Sequence, residues 1–242
     1  LEQTAPLPYD SAQNGEWGNV NTWLRPTVWD APNSNGINGD PIDWNIVRTN
    51  HDITSGSKDI TTLGLYVQSG ELEIMEPGTE DENNSGHMLW VTHYLSLDGV
   101  IDLVGESQLI QKPYWSAQYY ESMLEPNSSG YIERDQQGTK NSYAYNYWSL
   151  PVSAINVGSN NLPISPSSAL RDGSTSSNPL NINFGSPYAY ADGGGNPSPI
   201  RLSSYWIYKF VNNWNAYANW AHVGDGGLLN ITEGFSMKGT DP

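Results

Sequence analysis

Leu65–Ile74, LYVQSGELEI, and Leu95–Leu103, LSLDGVIDL, read as one unit written twice. In each, alternating aliphatic residues run into a polar-glycine turn (Ser69-Gly70, Asp98-Gly99) and out into a second alternating run. Period-two alternation broken by glycine turns is a strand signal, not a helix signal. Gly70 and Gly99 mark equivalent turns 29 residues apart, and the acidic stretch Glu80–Gly86 reads as an inserted loop. Without that loop the period falls to roughly the low twenties, the size of a β-solenoid rung. Stacked rungs would bury one another's aliphatic side chains and carry insertions on one face. A Greek-key sandwich competes with this reading, because two or three repeats are few.

Outward from this pair, Ile60 and Leu63 lead in, while Leu89, Val91, Leu109 and Ile110 extend the same pattern. Upstream, Trp17, Trp23, Trp29 and Trp44 punctuate Asn/Gly/Pro turns, and Pro26, Pro32 and Pro41 forbid a long helix. The tryptophans are expected to fold over the open end of the β core as a cap. Downstream, 113–126 (PYWSAQYYESMLEP) carries helical spacing at Trp115, Tyr119 and Met123, but its neighbourhood reads it as a further imperfect rung.

Near Tyr143 the organisation changes. Tyr143, Tyr145 and Tyr147 alternate, so one face of that strand is aromatic. A long Asn/Ser/Pro/Gly stretch follows through Pro199, read as loops draped on a neighbouring sheet, with Leu180, Ile182 and Phe184 again alternating. SYWIYKFV (Ser204–Val211) is apolar on both faces and is expected to be one central strand covered on both sides. The expected fold is all-β: residues 1–142 form a Trp-capped solenoid-like or sandwich stack, and 143–242 form a second, aromatic-rich β domain.

Charge and composition narrow the chemistry. The 242 residues hold 26 acids and 10 bases, a net charge of −16, which repels phosphate backbones and argues against nucleic acid. There are no cysteines, so disulfides and thiol chemistry are excluded. No run approaches the ~20 apolar residues of a membrane-spanning helix. His51, His87, His93 and His222 show no zinc spacing, and the glycine run Ala191–Pro197 lacks the Lys-Ser/Thr of a phosphate loop. Glu71, Glu73 and Glu76 cluster on or beside a strand edge, where alternation puts Glu71 and Glu73 on one face away from Leu72 and Ile74, and the cluster reads as a solvated face. No catalytic residue is assigned.

Two candidate sites follow from residue chemistry. The loops Asp30–Asp40 and Gly78–Gly86 gather hard oxygen donors suited to calcium, namely Asp30, Asp40, Glu80, Asp81 and Glu82. Pro32 and Ile37 fall where EF-hand ligands should stand, so the uncoordinated turn is the preferred reading and no cofactor is expected. Ten Trp and fifteen Tyr against three Phe favour polar-tipped rings, which sit in Leu-poor cores and also stack on sugars. Trp206, Trp214 and Trp220 are the candidate carbohydrate platform.

GVIDLVGESQLIQ (Gly99–Gln111), GYIERDQQGTKNSYAYNYWSLPVS (Gly130–Ser153) and ITEGFSMKGTDP (Ile231–Pro242) carry a resemblance. Together they resemble the C-terminal region of large secreted surface proteins of Bacteroidetes, in which Leu150 here replaces a serine of the family run. The resemblance implies export by the type IX secretion system, an extracellular cell-surface location, and kinship with giant gliding-motility adhesins of the Flavobacterium type. It implies translocon components and outer-membrane proteins as partners; surface polysaccharide is a further candidate partner, and the sequence does not name the adhesive target. A G-N-P-Y-P-S segment and a sorting domain usually follow in that family, and this chain holds neither. It is therefore expected to be a piece of a longer protein. The expected function is a non-enzymatic adhesin segment. A carbohydrate-binding module is the alternative, and a polysaccharide-degrading enzyme ranks third.

Overall fold

A computed structural model of the chain describes residues 7–24, 31–32, 45–75, 86–111, 114–115, 119–136, 138–139, 141–156, 159–174, 178–188, 199–211 and 219–240. It is all-β, and the chain divides into two compact units, Leu1–Gln136 and Gln137–Pro242. Among the described residues the only α-helix is α1, Pro166–Ala169.

In unit 1 consecutive strands alternate between two sheets. One sheet takes β1 (Leu7–Asp10), β3 (Asn45–Thr49), β5 (Ile60–Val67), β7 (Met88–Leu97) and β12 (Met123–Leu124), with β9 (Gln108–Ile110) also on β7. The other takes β2 (Gly15–Glu16), β4 (Ile53–Thr54), β6 (Glu71–Ile74), β8 (Val100–Leu103) and β13 (Tyr131–Arg134). Every pairing in both sheets is parallel.

The register explains why these sequences stack. Tyr9, Val47, Leu65, Leu95 and Leu124 pair in one row, and Ile53, Leu72, Ile101 and Ile132 in another. Both rows enter one hydrophobic core, in which Val47, Leu65, Ile53, Leu72 and Ile101 are sealed from solvent. Each strand pair buries one aliphatic face on its neighbour, at about 1.5–3 kcal/mol per fully buried side chain.

The glycine turns are stacked as well. Gly99 and Gly130 donate their N–H groups to Val67 and Leu97. A Cβ on Gly99 would lie 2.5 Å from the Gly70 carbonyl oxygen, and one on Gly130 2.1 Å from that of Gly99. No side chain fits between such closely stacked backbones.

At the β1 end, Trp17 and Trp23 are both 1% exposed, with ring centroids 5.1 Å apart at 80°. The Trp23 indole N–H donates to the Trp17 carbonyl oxygen at 2.9 Å. Trp29 and Trp44 lie outside the described residues, as does most of the acidic insertion.

The segment 113–126 departs from a simple rung. Among its described residues only β12 joins the stack, opposite Tyr94 and Leu95. Ahead of it, β10 (Tyr114–Trp115) and β11 (Tyr119–Tyr120) form a separate antiparallel hairpin. β9 and β12 therefore share the same neighbour, β7, at its two ends.

Unit 2 is built on an antiparallel sheet ordered β14-β23-β21-β22. Along the chain its strands are β14 (Tyr145–Ser149), β15 (Ala154–Asn156), β16 (Ser159–Leu162), β17 (Arg171–Asp172), β18 (Leu180–Asn181), β19 (Asn183–Gly185), β20 (Arg201–Ser203), β21 (Tyr208–Phe210), β22 (Trp220–His222) and β23 (Gly234–Lys238). Ile207, Leu229 and Phe235 form its core, with Trp148, Leu150, Leu170, Phe184, Val223 and Met237 packed around them. The Asn/Ser-rich stretch thus supplies short strand pairs, and its Leu170, just past α1, and Phe184, in β19, reach that core.

SYWIYKFV is not one strand. Ser204–Trp206 is a 3-10 turn closed by the Ile207 N–H on the Ser204 carbonyl oxygen, and the strand begins at Tyr208. β21 does lie between β23 and β22. Its two faces differ, however: Ile207 beside it is sealed from solvent, while Phe210 is 44% exposed.

Candidate functional site

Alternation along β14 sets the site. Trp148 turns inward onto the Phe235 core, so Tyr145, Tyr147 and Ser149 project from the opposite, open face. Tyr147 is 72% exposed there. Across the sheet Tyr147 pairs with Ser236, Ser236 with Tyr208, and Tyr208 with His222. Ser149 pairs with Gly234, and Phe210 with Trp220.

The outer face therefore carries aromatic rings from three of the four strands. Phe210 and Trp220 meet edge to face, with centroids 5.5 Å apart. Tyr208 and His222 do the same at 5.2 Å. Edge-to-face pairs of this kind contribute about 0.5–1.5 kcal/mol beyond buried area and hold each ring in one orientation.

Between these rings lies a cleft of about 170 Å³ lined by Tyr147, Trp148, Phe210, Trp220, Gly234 and Phe235. Among the described residues its lining carries no acid or base. Such a surface can stack on a planar or weakly polar ligand.

A second aromatic cluster borders it. Trp206 stacks edge to face with Tyr205 at 4.7 Å and with Tyr145 at 6.3 Å. The Lys238 ammonium sits 3.8 Å from the Trp206 centroid and 5.5 Å from that of Tyr145, within cation–π range of both. The His222 Nε2–H donates to the Ser204 carbonyl oxygen at 3.0 Å, which anchors the 3-10 turn under Tyr205 and Trp206. Burial first, and then Tyr205, push the Tyr208 hydroxyl above its usual range, so it stays a neutral donor.

The strand carrying Gly234 is pinned by its neighbour. Glu233 accepts from the Asn230 N–H at 2.9 Å and from the Lys209 ammonium at 3.0 Å. Burial opposes its charge, but these bonds outweigh it and hold Glu233 below the ordinary carboxylate range.

Of the three sequence-nominated tryptophans, Trp220 lines the cleft and Trp206 belongs to the adjoining cluster, while Trp214 lies outside the described residues. Tyr147, Phe210 and Gly234 were not nominated. The Tyr143/Tyr145/Tyr147 alternation was the available signal for the first; nothing in the sequence marks Gly234.

The calcium candidates Asp30, Asp40, Glu80, Asp81 and Glu82 all lie outside the described residues. Among the described residues no group of three or more His, Asp or Glu is arranged to hold a metal ion.

Unit 1 has its own charged feature. Glu73, Asp102 and Glu133 pair in one row across β6, β8 and β13, on the face opposite Leu72 and Ile101. Burial first, then Asp135, Glu71, Glu133 and Glu73, push the Asp102 carboxyl up to about 7. Burial, Glu73 and Asp52 likewise raise Glu71. These groups form a row on one sheet face, a geometry that stores repulsion.

No protein-family model, no curated protein and no solved structure matches this chain.

Proposed function

We propose that this chain is a non-enzymatic segment of a secreted cell-surface adhesin, and that the outer aromatic face of unit 2 is its adhesive surface for polysaccharide. The observation that carries this reading is the open cleft among Tyr147, Phe210 and Trp220. Large rings exposed on a regular sheet are unfavourable in water unless a ligand covers them, and an acid-free lining suits binding without turnover. The ordered sequence runs at Gly99–Gln111, Gly130–Ser153 and Ile231–Pro242 support export by the type IX system and display outside the cell, with translocon and outer-membrane proteins met on the way.

Unit 1 is read as a short β-solenoid. Alternation of consecutive strands between two all-parallel sheets, and the glycine column at one corner, support that reading over a sandwich of antiparallel Greek keys.

The test is retention of the chain on immobilised polysaccharides of differing charge. The intact chain is retained on at least one and releases no reducing ends from it. Tyr147→Ala and Trp220→Ala abolish retention without changing the circular dichroism spectrum. An intact chain that passes through every matrix, or one that accumulates cleavage products, overturns the proposal.

A further inference from the structure

β13 is the last strand of unit 1 and ends two residues short of Gln136, where that unit ends. In its sheet the order is β13-β8-β6-β4-β2, so β6 is held from both sides and β13 from one. Four register pairs join β13 to β8, with Glu133 opposite Asp102. The Gly130 and Tyr131 N–H groups donate to the Leu97 and Gly99 carbonyl oxygens at 2.9 and 3.2 Å. The Arg134 guanidinium donates to the Ser107 carbonyl oxygen, and Ile132 packs against the core.

Asp102 is buried between β6 and β13, with acids on both sides. β6 presents Glu73 and Glu71, and Asp52 accepts from the Glu71 N–H. β13 presents Glu133, with Asp135 just beyond it. Arg134, the base that β13 carries, stands one register step away, opposite Leu103, and is engaged at Ser107. Among the described residues no hydrogen-bond donor acts on the Asp102 carboxyl; burial, Asp135, Glu71, Glu133 and Glu73 do. A buried charge without a partner persists only if it is neutralised or its surroundings open. Asp102 therefore has two routes: it takes up a proton, or a flanking strand moves away. With one sheet neighbour against two, β13 is the strand that gives.

We infer that β13 is a proton-operated strap, docked on β8 while Asp102 holds a proton and released from it when Asp102, Glu73 and Glu133 are all charged. This is a local movement of one strand, distinct from unfolding of the unit. Release leaves the edge of β8, Val100–Leu103, open for another strand to pair with.

The working range follows from linkage. With β13 docked, Asp102 titrates at about 7. Release takes away Glu133 and Asp135, two of the four acids acting on it, and exposes the carboxyl to water, so the released state ionises at lower pH. Release therefore becomes more favourable as pH rises toward 7 and levels off above it, where Asp102 is charged in both states.

The experiment follows amide hydrogen exchange of the whole chain, residue by residue by NMR, at pH 5.5 and pH 8, each with and without dilute urea. Rates are expressed as protection factors, which removes the intrinsic pH dependence of exchange. Protection across Ile132–Arg134 is expected to fall about fivefold or more between pH 5.5 and pH 8. That exchange is insensitive to urea, because a local opening exposes little surface, while Val47, Leu65 and Leu72 exchange through urea-sensitive opening. Asp102→Asn keeps the shape and cannot ionise, so it holds β13 equally protected at both pH values. Should that variant fail to fold, Glu133→Gln decides: it leaves Asp102 in place, removes the charge facing it from β13, and cuts the response to about twofold. Protection of β13 that is the same at both pH values in the native chain overturns the strap. So does a loss shared by β5 and β6 with the same urea dependence, because the whole unit then opens. A response that survives intact in Asp102→Asn removes Asp102 as the trigger and overturns the inference.

Discussion

Asp102 stands directly opposite Glu73 in the parallel ladder of unit 1, and its neighbour on the other side is Glu133. Asp102 is only 7% exposed, though it points away from the core. A short carboxyl between two longer ones is shielded by their stems and faces their charges. Glu71, Glu73, Glu133 and Asp135 all act on it in the same direction.

The sign of the resulting pH dependence is fixed by that geometry. Asp102 is held near 7 in the fold against 3.8 ordinarily, so its ionised form destabilises the native state. The penalty is full above the folded value and is relieved as pH falls from about 8 through 7 toward 4. Three pH units correspond to about 4 kcal/mol as an upper bound, reduced by solvent around the flanking glutamates. Unit 1 is therefore expected to be more stable at pH 5.5 than at pH 8. Asp102→Asn should raise the pH 8 denaturation midpoint and flatten most of that difference. A native chain whose unit 1 is stabler at pH 8, or an Asp102→Asn variant that keeps the full slope, contradicts the account.

Unit 2 should respond to acid in the opposite direction. Asp172 is 3% exposed, yet it accepts from the Ser174 N–H, the Ser174 hydroxyl and, at 2.8 Å, the Ile200 N–H. Burial alone would raise it, but these bonds outweigh burial and lower it. Glu233 is lowered in the same way. Their stabilisation is present above the ordinary carboxylate values and is lost as pH falls through the lowered ones, below about pH 4. Amide hydrogen exchange followed at pH 5.5 and pH 3 should show unit 2 losing protection. Asp172→Ala leaves two backbone donors unpaired and should destabilise unit 2 by about 2–4 kcal/mol at neutral pH. Unchanged protection around Ile200 in that variant would rule out the clamp.

The glycine corner makes a steric prediction. Gly130→Ala puts a methyl 2.1 Å from the Gly99 carbonyl oxygen, where neither partner is a flexible side chain. The neighbouring strands must part locally, breaking the Gly130 N–H bond to Leu97 at 2.9 Å. A loss of about 3 kcal/mol or more is expected in chemical denaturation, well beyond the ordinary Gly-to-Ala difference. A variant as stable as the native chain would mean that the corner is not stacked.

How far the sequence carried follows from what each signal encodes. The units LYVQSGELEI and LSLDGVIDL were legible because both strand alternation and turn glycines are local, and the structure pairs Leu65 with Leu95 and Leu72 with Ile101 as their alignment implies. The β10–β11 hairpin and the 3-10 turn at Ser204–Trp206 were not legible. Aromatic residues favour a strand in either register, and the turn is fixed by distant partners: the Ser204 hydroxyl on Gly185 and the His222 ring on Ser204. Alternation likewise revealed an aromatic face at Tyr145 and Tyr147 without telling inside from outside. Gly234 was invisible because its contribution is an absent side chain, which only its neighbours in space can define.

The cap at the β1 end supplies the last prediction. Trp17 and Trp23 meet edge to face, Tyr9 adds a second such contact to Trp23 at 6.2 Å, and all three belong to the core of unit 1. A stack of strands has an end whose aliphatic side chains would otherwise face water, and two large rings cover it with little entropy to lose. Trp23→Ala removes the ring and the hydrogen bond to the Trp17 carbonyl oxygen, and should destabilise unit 1 by about 3–5 kcal/mol. Trp23→Phe keeps most of the apolar bulk but strands the Trp17 carbonyl oxygen, so a smaller loss of about 1–3 kcal/mol is expected. The order matters more than the size. If phenylalanine were as damaging as alanine, the hydrogen bond rather than the covering surface would hold the end closed; if neither mattered, the stack would not depend on this cap.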